Sequence, residues 1–352
     1  MEATGALEMG RFTHAVESDV YDLKDDYGTR IFGKGCNLHE LAEDFINKNA
    51  LFANPVYLLL DASKFDAHVS DALLRIVARF YETMLENPRE RKHVRWLWSH
   101  TFTSMGRSKL GVYYKTKGTR FSGHMDTGLG NCMVMYAALK VYLRLSGVTK
   151  HVMSVNGDDS VIIVERQDLS KLLDIGVFKS LGFKMKFEYT DDFSQMEYCQ
   201  CRPVHTDYGW VMARGPERVL ARTGWSVKRF SKKKFKDFVL SLGMGESAVS
   251  YGVPVAYPLA RLLVGAGKGG KMMPTDRKRF ISYTRQKFWQ SPEVATISLS
   301  TRVSYERAWG MSPDKQIEIE GKLKVSMGLT LSSRQMTAYE RIVTDDPLMG
   351  TT

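Results

Sequence analysis

Five apolar residues, Val56-Tyr57-Leu58-Leu59-Leu60, follow Pro55 and stop at Asp61. That run reads as a buried strand ending on an acid. Ser70-Asp71 then offers a helix start, and Leu73, Leu74, Val77, Phe80 and Tyr81 recur at helical spacing behind it. A glycine-rich turn over Gly118 to Gly130 leads into an apolar helix, Met133 to Leu143. Val152 to Val155 and Val161 to Val164 are two short strands around Asn156 to Ser160, where Asn-Gly is a strong tight-turn signal. A helix around Leu169 to Ser180, a strand from Phe183 to Tyr189 and a cysteine-bearing hairpin to about residue 207 complete this part.

The flanks are less regular. Residues 1 to about 50 are polar and mixed, with one short helix expected around Leu38 to Asn47. From Asn87 to Arg120 the chain is basic and aromatic, and Tyr113-Tyr114 favours a strand or hairpin over a long helix. Beyond about 210, helical patterns dominate at Ser231 to Leu242, Tyr257 to Val264 and Ser333 to Val343. The order predicts an α+β fold: a mixed sheet covered by helices on one face, then a helical lobe.

Length and charge narrow the choice. A chain of 352 residues can bury a substantial core and is too large to be only a binding module. Fifty Lys plus Arg against 39 Asp plus Glu give +11, which suits a polyanionic partner without choosing among RNA, DNA and an anionic membrane. Four irregularly spaced cysteines do not make a disulfide scaffold and favour a reducing compartment. The start, Met1-Glu2-Ala3-Thr4-Gly5, lacks a basic region followed by an apolar run, and no stretch reaches 18 uninterrupted apolar residues. Secretion and membrane spanning are therefore not expected.

The candidate chemistry is acidic and split. Asp61 ends a strand, Asp66 follows five residues later, and Asp158-Asp159 occupy a hairpin turn far downstream. Magnesium takes oxygen ligands, commonly one or two carboxylates plus substrate phosphates, and two such ions serve phosphoryl transfer. Asp61 and Asp158 are the expected direct ligands, with Asp159 supporting them. Gly157-Asp158-Asp159 alone is also an ordinary turn sequence. Asp66 could accept a hydrogen bond from a nucleotide sugar or simply cap a helix.

Between the two acidic clusters stand Phe121-Ser122-Gly123-His124-Met125-Asp126-Thr127-Gly128-Leu129-Gly130-Asn131. With Asp61-Ala62-Ser63-Lys64-Phe65-Asp66 before them and Gly157-Asp158-Asp159 after, the order resembles the RNA-dependent RNA polymerases of positive-strand RNA viruses. The likeness is to the tombusvirus-like group, with its carmovirus-like and luteovirus-like enzymes, and covers about residues 55 to 205. It implies a right-hand fold with a mixed-sheet palm, fingers elements and a helical thumb. Residues 1–54 would be partial fingers or an N-terminal extension. Residues 55–209 would be the palm, with a fingers insertion around 87–120, and 210–352 the mostly helical thumb and C-terminal region.

The same resemblance implies roles. Asp61, Asp158 and Asp159 would hold Mg2+, or Mn2+ in its place. Asp66, Ser122, Gly123, Thr127 and Asn131 would bind and select the ribonucleotide. Lys184 or Lys186 would approach the pyrophosphate leaving group, where an ammonium can donate a proton or stabilise charge. Glu197-Tyr198-Cys199-Gln200 would form a hairpin near the primer. The basic fingers motif that contacts triphosphates in this family is not evident in residues 1–54, where Lys34 is the candidate substitute. Implied partners are an RNA template and product strand, NTPs, and a viral replication protein supplying an upstream fingers motif or a membrane anchor. The implied setting is the host cytoplasm, peripherally associated with membrane replication complexes.

Other basic residues are read as RNA contacts: Arg107, Lys109 and Arg120, and Lys228, Arg229, Lys232 and Lys233, the last four interleaved with Phe230, Phe235 and Phe238 that suit core packing. Cys199, Cys201 and His205 lack the fourth ligand and spacing of a zinc site. Gly265 to Lys271 approaches a phosphate loop, but Met272 stands where Ser or Thr is required, so a turn is expected. His68 and His124 suit structural roles. Two other functions stay open: a noncatalytic RNA-binding replication scaffold, and another palm nucleotidyltransferase such as a reverse transcriptase.

Overall fold

The computed structural model describes residues 3–226, 230–273 and 294–328. Lys228, Arg229 and the helix expected at Ser333 to Val343 lie outside them. The chain divides into two compact units, one of Met1–Gly35 with Asp44–Asp192, the other of Cys36–Glu43 with Phe193–Thr352. No helix among the described residues is long and apolar enough to cross a membrane.

The first unit opens with α1 (Ala3–Tyr21), a helix the polar reading of this region did not anticipate. Its apolar stripe is thin: Met9, Phe12, Val16 and Val20 supply about one core contact per turn. Next comes α2 (Leu38–Asn49), whose last turns, from Asp44, belong to this unit. Then follow β1 (Pro55–Ala62), the single turn α3 (Phe65–His68), α4 (Asp71–Thr83) and α5 (Pro88–Phe102). Ser70 caps α4 as expected, its Oγ accepting from the Leu73 amide.

Half of the basic segment expected as strand or hairpin is helix α5. Asn87 caps it, Pro88 begins it, and Val94, Leu97, Trp98 and Phe102 form its buried stripe. The hairpin starts only at Thr103, with β2 (Thr103–Arg107) and β3 (Tyr113–Lys117). The unit continues through α6 (Thr127–Ser146), β4 (His151–Asn156), β5 (Asp159–Glu165), a 3-10 turn at Arg166–Leu172, α7 (Gly176–Ser180) and β6 (Met185–Thr190). The helix expected over Leu169 to Ser180 is thus broken in two. Asp174 Oδ1 accepts from the Gly176 amide at 2.8 Å, a local turn that competes with helix continuation.

The sheet order is β4-β5-β1-β6, and all three pairings are antiparallel. The expected mixed sheet is corrected here. A two-residue loop joins β4 to β5, which only antiparallel strands permit. Parallel pairing among the described residues is confined to an isolated bridge, Phe32 to Val155. Alternation along β1 sends Val56, Leu58, Leu60 and Ala62 into the main core with residues of α4, α5 and α6. The other face is covered too, by the end of α2. Fully buried Lys48 donates to Ser154 Oγ at 2.9 Å, to the Arg30 carbonyl at 2.6 Å and to Asp44, and the Tyr57 hydroxyl donates to Asn49. A buried ammonium is tolerable because these acceptors replace its water.

In the second unit, β7 (Cys201–Thr206) and β8 (Gly209–Arg214) form a hairpin. Helices α8 (Pro216–Arg222), α9 (Lys232–Val249) and α10 (Ala256–Ala266) follow, then Leu299–Trp309 and Pro313–Gly328. Its core joins Val204, Val211, Val219, Leu259, Tyr305 and Leu323. The glycine-rich stretch after α10 is a packing device. A Cβ on Gly267 would lie 2.5 Å from the Leu240 backbone nitrogen of α9, so only glycine lets the helices approach this closely.

Candidate active site

Register brings the acids together. Asp61 is paired with Asp159 on one side and with Lys186 on the other, and Asp159 is paired with Asn156. Directly opposed residues in antiparallel strands project from the same face, with Cα atoms about 4.5–5.5 Å apart. Asn156, Asp159, Asp61 and Lys186 therefore form one polar row across all four strands. Lys186 Nζ lies 2.9 Å from Asp61 Oδ2, and that hydrogen bond raises the pKa of the ammonium. Lys184, the alternative, is exposed, and its backbone carbonyl accepts from the Ser63 amide at 2.9 Å. Of the two lysines, Lys186 is the one that register sets beside an acid.

Asp158 occupies the β4–β5 loop. Gly157 has φ +69° and Asp158 does not share the positive φ, the pattern of a type II′ turn. Burial raises the pKa of Asp158, and the nearby charges of Asp61 and Asp66 push it the same way. The carboxylates of Asp61 and Asp66 thus stand close enough to disfavour ionisation of Asp158. Lys34 acts in the opposite sense on Asp158. Its position is set by the segment before it: the Gly33 amide donates to the Val155 carbonyl at 3.1 Å, and the Val155 amide donates to the Ile31 carbonyl at 3.0 Å. The Lys34 ammonium lies 2.9 Å from where a Cβ on Gly128 would be, beside the start of α6.

Asp66 does not cap a helix. Its Oδ2 accepts from Ser122 Oγ at 2.5 Å and its Oδ1 from Asn131 Nδ2 at 2.6 Å. The Asp66 carbonyl also accepts from the Arg120 amide at 2.8 Å. Two of the predicted ribose-selecting residues, Ser122 and Asn131, therefore converge on the carboxylate of a third. Asn131 Oδ1 is buried without a hydrogen-bond partner, leaving an acceptor for a ligand hydroxyl. Thr127 does not join them, for its hydroxyl donates to the Phe121 carbonyl at 2.7 Å. Gly123, on the exposed turn, has open space around its Cα.

Arg120 is corrected. It is 4% exposed, and its Nη1 lies 2.6 Å from Asp126 Oδ1, so it is a clasp inside the loop rather than a contact for RNA. Asp126, fully buried, also accepts from His124 Nδ1 at 2.6 Å and from Trp98 Nε1 at 3.1 Å. Burial alone would raise its pKa, but the His124 hydrogen bond and the Arg120 charge outweigh burial and hold the carboxyl at about 2. Sequence reasoning gave Asp126 no role. Its partner Trp98 is 28 residues away on α5, a proximity without a local signal.

The remaining basic candidates divide. Arg107 and Lys109 are exposed on the β2–β3 hairpin, with the Arg107 guanidinium 5.1 Å from the centre of the Tyr113 ring. Lys228 and Arg229 lie outside the described residues, as do the side chains of Lys232 and Lys233. Nearby Phe230 and Phe238 stack at 4.7 Å, the packing expected for these aromatics. In the second unit, Cys199 and Gln200 both have positive φ, 52° and 59°, between Tyr198 and Cys201, which exchange backbone hydrogen bonds. The Glu197 to Gln200 hairpin is therefore a tight two-residue turn made without glycine.

The donor set suits a divalent cation that carries substrate phosphates: oxygen ligands only, on carboxylates whose mutual repulsion a cation would relieve. Among the described residues, no group of three or more acidic, thiol or imidazole side chains is arranged to hold a metal ion by itself.

Comparison with known proteins gives the same assignment. The model of the viral RNA dependent RNA polymerase family matches residues 6–328. The RNA-directed RNA polymerase of Groundnut rosette virus (strain MC1) is 33% identical over 294 residues, covering 82% of this chain and 34% of that protein. The enzymes of Tobacco necrosis virus (strain A) and Tomato bushy stunt virus (strain Cherry) are 30% and 28% identical, covering 89% and 90% of this chain and 44% and 39% of theirs. The chain thus spans between a third and a half of the length of these relatives. With the acidic row, the Asp66 cluster and a family match over most of its residues, the chain belongs to the viral RNA-dependent RNA polymerases.

Proposed function

We propose that this chain performs template-directed RNA synthesis, transferring a nucleoside monophosphate from an NTP to an RNA 3′ end and releasing pyrophosphate. The observation that carries the reading is the joining of two sites on one short segment. Asp61 belongs to the acidic row, and Asp66, five residues later, is held by Ser122 and Asn131. Both carboxylates act on the charge of Asp158, so phosphoryl chemistry and ribose recognition would share one site, the proximity that nucleotidyl transfer requires.

Asp61 and Asp158 would hold the divalent ions, Mg2+ or Mn2+, with Asp159 beside them. Bound with the triphosphate, such ions orient the attacking hydroxyl and neutralise charge on the leaving group. Asn131 Oδ1 and the Asp66 carboxylate offer acceptors to a ribose hydroxyl, a contact that a deoxyribose cannot make. Lys186, paired with Asp61, keeps its proton on Nζ at neutral pH and would be the lysine that meets pyrophosphate. Lys34, whose charge acts on Asp158, would meet the triphosphate.

On the β2–β3 hairpin, register puts Arg107 with Tyr113, Met105 with Lys115 and Thr103 with Lys117 on one face. Tyr113 is 74% exposed. Cations flanking a bare ring suit the phosphates and bases of a single strand, so Arg107, Lys109 and this face are assigned to RNA. Action in the host cytoplasm beside a membrane-associated viral replication protein belongs to the same reading, and co-fractionation with replication membranes from infected tissue tests it.

The test of the activity is primer extension with all four NTPs, an RNA template and Mg2+ or Mn2+, against Asp61→Ala and Asp158→Ala. Template-dependent products from the parent that vanish in both variants are expected. Binding of RNA without extension, even with a viral replication protein added, would favour the scaffold reading instead.

A further inference from the structure

A two-residue hairpin loop leaves the amide of its first residue outside the ladder, because only the flanking pair exchanges backbone hydrogen bonds. Here the flanking pair is Asn156 with Asp159 and the loop residues are Gly157 and Asp158; the Asp158 amide donates to its own carboxyl, which leaves the amide of Gly157. It points inward to Cys132 and donates to its Sγ at 3.2 Å. Cys132 is fully buried on α6, and burial raises the pKa of its thiol, so the sulfur stays protonated and acts as a neutral acceptor. The preceding residue, Asn131, holds Asp66. Two consecutive side chains of one helix thus engage the two acidic segments of the site.

We propose that Cys132 is a positioning residue for the metal-binding turn: by accepting the Gly157 amide it fixes the orientation in which the loop presents Asp158. The proposal rests on the polymerase reading only for its consequence in catalysis. Without the sulfur the buried amide has no acceptor on α6, and the turn lowers its energy by rotating toward another partner. Asp158, the next residue, rotates with it. A carboxylate that is correctly placed only part of the time binds its cation more weakly in proportion to the competent fraction.

The informative variants are Cys132→Val, which keeps an apolar side chain of similar size but removes the acceptor, and Cys132→Ser, which restores an acceptor. Thermal melting is measured on both. Three further quantities are read: Mn2+ affinity of the RNA-free protein by electron paramagnetic resonance, hydrogen exchange in peptides spanning Gly157, and the Mg2+ concentration giving half-maximal primer extension. An orphaned buried amide predicts roughly a tenfold weakening of Mn2+ binding and a similar rise in the Mg2+ requirement for Cys132→Val. Exchange at Gly157 becomes faster, the rate at saturating Mg2+ falls much less, and Cys132→Ser recovers most of the loss. Parental Mn2+ affinity in Cys132→Val overturns the proposal. So does a loss that follows melting temperature alone and is as large in Cys132→Ser. If the parent itself fails to extend a primer, the polymerase reading falls, while Mn2+ binding and exchange still decide what the thiol does.

Discussion

Replacing Arg120 with alanine separates two roles for a residue that sequence alone assigns to RNA. Its side chain is 2% exposed and that of its partner Asp126 is fully buried, with 2.6 Å between Nη1 and Oδ1. Removing one member of a buried ion pair typically costs about 3–5 kcal/mol, because the remaining charge is left uncompensated. Asp126 would keep His124 Nδ1 and Trp98 Nε1, so the lower end, about 3 kcal/mol, is expected. For a unit of this size that corresponds to a melting temperature lower by roughly 6–12 °C. The assays are thermal melting and RNA binding measured across a salt series. A clasp predicts a large fall in melting temperature with an unchanged salt slope. A phosphate contact predicts the reverse, an unchanged melting temperature and a slope reduced by about one. The second result would refute the account of the loop. The double variant Arg120→Met with Asp126→Asn, lacking both charges, should be more stable than Arg120→Ala.

Four further outcomes follow from the same geometry. Asp158→Asn should abolish extension yet raise the melting temperature at neutral pH. A carboxyl whose pKa is raised by folding lowers stability once pH passes its unfolded value, and the neutral amide removes that penalty. Asp126, held at about 2, works in the opposite direction: its contribution of roughly 2 kcal/mol is complete above about pH 4 and is lost as pH falls toward 2, and acid melting of Asp126→Asn against the parent reads it. Asn131→Ala should reduce discrimination between NTP and dNTP by roughly tenfold in single-nucleotide incorporation, the cost of leaving a buried hydroxyl without its acceptor. Lys186→Ala should slow extension much more than Lys184→Ala, since Lys186 alone of the two is paired with Asp61, and equal effects would remove the distinction.

The local features of this chain were legible because each is written in neighbouring residues. The β1 run ending at Asp61, the Ser70 cap of α4 and the tight turn at Gly157 between β4 and β5 all appear where the pattern puts them. Helix α1 escaped because one apolar residue per turn is a weak stripe, and α5 escaped because its buried Val94, Leu97 and Trp98 are diluted by arginines, lysine and histidines. Turn chemistry explains the break before α7, where Asp174 binds the Gly176 amide in preference to extending the helix.

The sequence by itself determined the identity of the acids, their order and the family to which they point, because spacing and residue type are sufficient for those. Tertiary structure decided which side chains meet. Register set Lys186 rather than Lys184 beside Asp61, and burial turned Arg120 from a basic surface residue into the partner of Asp126. The helix that carries Asn131 also brought Cys132, an unremarked residue in an apolar run, to the amide of Gly157. The physical reason is the same each time: charge and hydrogen-bonding capacity are properties of a residue, whereas their use depends on distances across the fold that no local pattern records.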